Sequence, residues 1–365
     1  MSSSMTVTPD TSASHRMSGR ALLYGASAIL ILTVIAQLAQ AFKLVDFGFT
    51  TWRPVLYAYA LWSVAIAVSQ IMTRGEAGWR ALFLLPALLF TIIMVIFPTI
   101  FGLYIAFSDW NLSSFEGQKF NGLDNLRQLI ADAYFWNALR NMVFYVVSVL
   151  GQYALAFGLA LLLNAEIRAR KFFRVAFLLP FMLSPVAVSW MIGKSLMEFR
   201  FGPLAALMRH IGWDNPAFFA TPWTARFWIM ALDAWVWIPF MIILLLAGLQ
   251  AMPKDIQEAA RVDGATGWRS FWNITFPLML PVSITTIILR IIFQLKLADI
   301  VINTTLGGPG GATDTISSFI FREYRDRSNV GYGTMVAEVY LIIIIVFITI
   351  LLNLVGRFMR RETAE

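Results

Sequence analysis

Two charged side chains, Asp233 and Arg290, fall inside long apolar runs of the sequence. A charge at such a depth costs about 2.5–3.5 kcal/mol on membrane-insertion scales, so each must be paired or wet. Trp237 follows Asp233 by four residues, and Ser283, Ile287, Arg290 and Gln294 recur at helical spacing. Each run therefore turns a polar stripe to one face of a helix. A carboxylate, an amide, a hydroxyl, a guanidinium and an indole together suit a hydroxyl-rich solute, because the polar groups exchange hydrogen bonds with it and a flat ring packs against the C–H face of a pyranose. The plainer alternative is an ion pair that only joins two helices, or an arginine that snorkels outward. For Trp235, in the segment "WVWIPF", packing against lipid or a neighbouring helix is the favoured reading.

A second stretch, "QEAARVDGATGWRSFWNITFPLMLP" from Gln257 to Pro281, is charged and helix-prone where a membrane chain usually makes a brief turn. Pro253 suits a helix start, Lys254 to Asp263 holds good helix formers, and Gly264 stands where a stop belongs. The expectation is a short surface helix followed by a sharp turn, with Trp268, Phe271 and Trp272 at headgroup level beside the next span. By itself that pattern also fits an amphipathic helix that merely caps a bundle.

Other chemistries lack their residues. The chain has no cysteine and two histidines, His15 and His210, which excludes disulfides, thiol catalysis and cysteine-ligated metals. It holds no H-E-x-x-H, no Ser/His/Asp set and no acidic metal cluster. Gly193-Lys194-Ser195 ends like a phosphate-binding loop, but Val188 stands where that loop needs its earlier glycine. Gly307-Gly308-Pro309-Gly310-Gly311 follows no strand and precedes no lysine, so it reads as a turn-rich loop. A membrane enzyme such as a glycosyl transferase is thereby disfavoured.

The elements that position these groups follow from composition. Hydrophobic residues make up 59% and charged residues 13% of the 365, against roughly 45–50% and 25% in soluble domains, so the solvent is lipid. Eight stretches reach the ~20 apolar residues of a spanning helix: about 21–42, 54–72, 81–107, 138–163, 173–197, 224–250, 276–298 and 332–356. Residues 1–20 read as a disordered cytoplasmic N-terminus, and the first span as a retained anchor rather than a cleaved signal. Arg168, Arg170, Lys171 and Arg174 crowd one short connection, and Arg357, Arg360 and Arg361 follow the last span. The positive-inside rule then places both termini and the Glu258 stretch in the cytoplasm. The net charge of +7 is spread over loops and reflects this bias, not nucleic-acid binding. In that frame Asp233 and Arg290 both lie ~20 Å above the inner edge, at ~1.5 Å per residue, so they can meet.

Glu258-Ala259-Ala260, three residues, Gly264, nine residues, Ile274, one residue, then Phe276-Pro277 resembles the EAA signature of binding-protein-dependent ABC importer permeases. Phe276 departs from it, where the pattern usually has Leu. Three further stretches resemble the carbohydrate, maltose-permease-like branch: Phe120 to Leu126 with Phe135-Trp136-Asn137-Ala138, "FRVAFLLPFMLSPVAVSW" from Phe173 to Trp190, and "TLGGPGGATDTISSFIF" from Thr305 to Phe321. The resemblance covers roughly residues 80–360. It implies an all-α type I importer fold of six core spans, here preceded by two accessory spans over residues 21–72, in a bacterial inner membrane. It also implies that the helix near 254–276 couples to an ATPase through Glu258, Ala259, Ala260, Asp263 and Gly264. Asp233, Trp237, Ser283, Arg290 and Gln294 are the expected substrate path. Implied partners are a second permease subunit, two ATP-binding subunits that hold ATP and Mg, and an extracytoplasmic substrate-binding protein, with no cofactor bound by this chain. The competing readings are an ion-driven secondary transporter and, within the same branch, an importer of a glycerol phosphodiester.

Overall fold

The computed structural model describes residues 13–362 apart from 42–44, 46–47, 50, 75, 116, 166–167 and 266. Two compact units divide the chain: Met1–Trp110 with Ser114–Gly122, and Asn111–Ser113 with Leu123–Glu365. Most of residues 1–20, expected to be disordered, lies outside the described residues; from Ala13 onward the chain is already helical.

In the first unit, α1 (Ala13–Ala41) and α2 (Arg53–Arg74) form a hairpin. Its seam carries Ala26, Ala58, Ala65 and Ser69, small residues that allow close backbone approach in a membrane, and Trp62 Nε1 donates to Ser27 Oγ across it at 3.0 Å. The third span, α3 (Gly78–Ala106), contains a wide turn over Ile92–Ile96. Pro98 lies just beyond and has no N–H for the preceding turn, so the hydrogen-bond ladder shifts register there. A short antiparallel pair, β1 (Ser108–Asp109) with β2 (Lys119–Phe120), ends this unit.

The second unit begins with α4 (Asp124–Ala131) and α5 (Ala133–Asn164). The Asp132 carboxylate caps α5 by accepting from the Tyr134 amide at 2.8 Å. Next come α6 (Arg170–Met182) and α7 (Pro185–Leu196), over the stretch 173–197 that the sequence reads as a span. The two pieces meet at 94°. Pro185 pushes the residue before it out of helical geometry, and Leu183 and Ser184 are both extended, with ψ of 141° and 136°. The chain continues through α8 (Pro203–His210), α9 (Pro222–Ala251), α10 (Lys254–Val262), α11 (Gly267–Gln294), α12 (Asp299–Thr304), α13 (Ile316–Arg325) and α14 (Val330–Glu362). A second wide turn, Phe271–Thr275, precedes Pro277 in α11 as the first precedes Pro98. The stretch 254–276 thus divides: α10 is the short helix, and residues from Gly267 are the opening turns of the next span.

Among the described residues seven helices are long and apolar enough to cross a membrane, and the bent pair supplies an eighth if it counts as one span. The core of the second unit lies where α5, α9 and α11 meet, around Tyr145, Val149, Ile229, Val236, Met241 and Met279. Gly248 lets α9 approach α11: a Cβ there would stand 2.9 Å from Val282 Cγ1 and 3.0 Å from Met279 Cε.

Candidate translocation site and coupling helix

α9 and α11 bring Asp233 and Arg290 together inside this core. Their side chains form an ion pair at 1% and 0% exposure. Neither helix supplies the third member, which comes from α5: Gln152 Nε2 donates to Asp233 Oδ2 at 3.2 Å, and Gln152 Oε1 accepts from Arg290 Nε at 3.0 Å. The arginine lies over the Trp237 ring, 5.2 Å from its centroid, and the Phe293 ring stacks on Trp237 at 4.7 Å. In this conformation Trp237 is engaged by protein groups rather than presented as an open platform. Trp235 is exposed at 41%, in keeping with a lipid-facing ring.

Unused polar capacity surrounds this triad. Gln294 is fully buried beside Asp233, yet its amide makes no hydrogen bond of normal geometry. One terminal nitrogen of Arg290 is likewise unsatisfied, and Ser283 Oγ is buried next to Tyr153 without a well-formed bond. Such groups cost free energy unless something hydrogen-bonds them. All five residues of the expected path therefore lie on the α9 and α11 faces that look into the bundle. The charges offset one another, so the available groups are a neutral amide and a hydroxyl, plus one guanidinium nitrogen.

A second polar cluster fixes the glycine-proline loop. Asn137 and Asn141 of α5 donate to the Gly311 carbonyl at 2.7 and 2.9 Å, Asn141 also reaches the Asp314 carbonyl, and Tyr145 donates to Thr313 O at 2.9 Å. Arg226 of α9 donates to Ala312 O at 2.8 Å and to Asn141 Oδ1 at 3.0 Å. Asp314 pairs with Arg322 and accepts from Ser318 Oγ at 2.7 Å, and burial pushes its carboxyl above the usual range. The loop is thus a clamped lattice of backbone carbonyls. Gly193 of the phosphate-loop lookalike is a packing residue in α7, pressed against Thr304 Cγ2.

Sequence reasoning missed Gln152, Asn141 and Arg226. The signal was there for two of them, since Asn141, Tyr145 and Gln152 recur on one face of an apolar helix.

α10 has the opposite character. Glu258, Ala259 and Asp263 are exposed, as are Ile256 and Val262, while Ala260 is buried. The helix stops as its residues dictate: Gly264 takes φ +71°, and the Asp263 and Ala265 amides return to the carbonyls of Ala259 and Ala260 at 3.0 and 2.9 Å. A bundle of spans with a buried polar seam and a short exposed helix ahead of the penultimate span is the outline of a transport permease.

The comparisons with known proteins agree. This chain belongs to the family described as binding-protein-dependent transport system inner membrane component, whose model matches residues 129–361. It is 34% identical over 286 residues to the trehalose/maltose transport system permease protein MalF of Thermococcus litoralis, covering 78% of this chain and 96% of that one. It is 30% identical to the probable starch degradation products permease AmyD of Thermoanaerobacterium thermosulfurigenes and to the sn-glycerol-3-phosphate permease UgpA of Agrobacterium fabrum, over 73% and 72% of this chain and 90% and 88% of theirs. Among solved structures, a bacterial alginate ABC transporter bound to its pentasaccharide-loaded periplasmic protein matches at TM-score 0.65 and 21% identity, over 85% of this chain and 98% of that one. The chain is therefore a multi-pass inner-membrane permease subunit of an ABC importer with the type I fold, and the ion-driven reading falls away. It carries no ATPase site of its own; hydrolysis belongs to partner subunits, and the permease works in a complex with a substrate-binding protein.

Proposed function

We propose that this subunit imports a neutral carbohydrate or polyol, pairing with a second permease subunit, two ATP-binding subunits that hold ATP and Mg, and a binding protein outside, with both of its termini in the cytoplasm. The observation that carries the substrate class is the buried Gln152–Asp233–Arg290 triad beside Trp237 and the unsatisfied amide of Gln294. With Asp233 holding the charge of Arg290, the path offers hydrogen bonds without net charge, which matches hydroxyl groups better than phosphate. Relatives named for trehalose/maltose and for starch degradation products support the same class.

Glu258 and Asp263 are the polar contacts to the ATPase groove, exposed Ala259 lets the helix seat closely there, buried Ala260 packs α10 against its own subunit, and Gly264 sets the exit angle. Closure of the ATPases pulls α10, and because α11 begins five residues after α10 ends, the pull reaches the helix that carries Ser283, Arg290 and Gln294. Alternating access then follows from rigid-body movement of packed helices.

The one free guanidinium nitrogen of Arg290 and the glycerol-3-phosphate relative favour a second reading, an importer of a glycerol phosphodiester. Uptake into proteoliposomes holding the whole transporter and its binding protein separates them. A malto-oligosaccharide or polyol accumulating only with internal ATP supports the neutral class. Accumulation of the phosphodiester alone supports the second reading, and accumulation on an ion gradient without ATP sinks both.

A further inference from the structure

A large cavity lies wholly within the first unit, among α1, α2 and α3. It measures about 570 Å³, inside the ~300–1,000 Å³ range of ligand-binding clefts. Its wall is apolar almost throughout, with Leu30, Val34 and Leu38 from α1, Leu56 from α2, and Ile93 and Ile96 from α3. The Tyr59 hydroxyl, one of the few polar groups near it, is already spent on the Leu89 carbonyl at 2.7 Å. Water needs two to four polar partners to occupy a void and finds almost none here, and a sugar would fare no better.

One end of the cavity differs from the rest. Trp52 stands edge-on to Phe97 and Phe101, each at 6.2 Å, Tyr104 stacks on Phe101 at 6.0 Å, and Arg53 follows Trp52. Arg53 is exposed and makes no ion pair among the described residues. An aromatic belt with a free cation at the mouth of an apolar slot is the arrangement of a headgroup above an acyl chain. The three walls are all helices long and apolar enough to cross a membrane.

We propose that this cavity holds an acyl chain of a membrane phospholipid, with the lipid phosphate against the Arg53 guanidinium. The bound lipid fills the space that the three helices leave and ties the accessory hairpin to α3. Nothing in this depends on which solute the transporter carries.

Native mass spectrometry of the transporter complex in mild detergent, with extraction of the retained lipid, tests it. The unaltered protein should keep phospholipid through detergent exchange. Arg53→Ala should lower occupancy about fivefold, Arg53→Lys should keep most of it, and Ile96→Trp should abolish it by filling the slot. Val64→Trp, on an exposed face outside the cavity, should leave it unchanged. Equal retention in all four variants would overturn the proposal by making the lipid annular. So would retention of free fatty acid alone, or a slot closed by the partner permease, seen as an efficient Leu56→Cys cross-link to that subunit.

Discussion

α10 and the Asp233–Arg290 seam are both polar features in an apolar chain, and they solve that problem in opposite ways. In the seam, charges meet charges from the same chain, and Gln152 closes the triangle at 3.2 and 3.0 Å. On α10, Glu258 and Asp263 point outward beside bare Ile256 and Val262. A polar group satisfied internally holds a fold, whereas an exposed mixture of charged and apolar residues offers a surface to another chain. The first region should therefore respond to mutation with lost stability, and the second with lost coupling in an intact protein.

The largest effect should come from Arg290→Ala, which strands the Asp233 carboxylate; breaking a buried pair from one side costs ~3–5 kcal/mol. Abundance in the membrane and thermal stability in detergent should fall sharply, and adding Asp233→Asn should restore much of both. If the double variant is as unstable as the single one, the pair is not what holds the seam. Next in size is Arg226→Leu, which leaves the Ala312 carbonyl and Asn141 without their donor at ~1–3 kcal/mol. Hydrogen exchange in residues 307–315 should quicken while the Glu258 region is unaffected.

Gly264→Val tests the other region. A side chain at φ +71° costs ~1 kcal/mol or more, and no neighbouring atom lies within 4 Å of the new Cβ, so the strain is in the backbone alone. The protein should insert normally and lose uptake and stimulated ATP hydrolysis. Normal rates in that variant would remove α10 from the coupling path. The smallest effect is a pH dependence. Because burial raises the Asp314 carboxyl, its stabilising contribution is complete below the unfolded value of ~3.9 and is lost as pH rises through the higher folded value. Melting curves should show this slope in the parent protein and a flatter one in Asp314→Asn.

Much of this comparison was legible in the residues themselves. Hydropathy located the spans because lipid demands uninterrupted apolar helix, and Gly264 announced its turn because a helix stop is local chemistry. The break at Leu183-Ser184 escaped, although Pro185 signals it, because apolar composition reads the same through a bend. Asp233 and Arg290 drew attention by charge, and equal depth brought them within reach. Gln152 did not, since an uncharged amide hardly interrupts an apolar run. Arg226 could not be assigned at all: its partner Ala312 lies 86 residues away, and only packing brings them together.

As proposed, α10 is the handle through which ATP hydrolysis reaches the path. Because the chain has no cysteine of its own, Glu258→Cys gives this subunit a single thiol that can form a disulfide with a cysteine placed in the groove of the ATP-hydrolysing subunit. A short-range adduct should form between this position and the ATP-hydrolysing subunit, with uptake arrested once it forms and restored when the link is reduced. A transporter that imports at full rate with the link in place, or one in which position 258 never reaches that subunit, would contradict it.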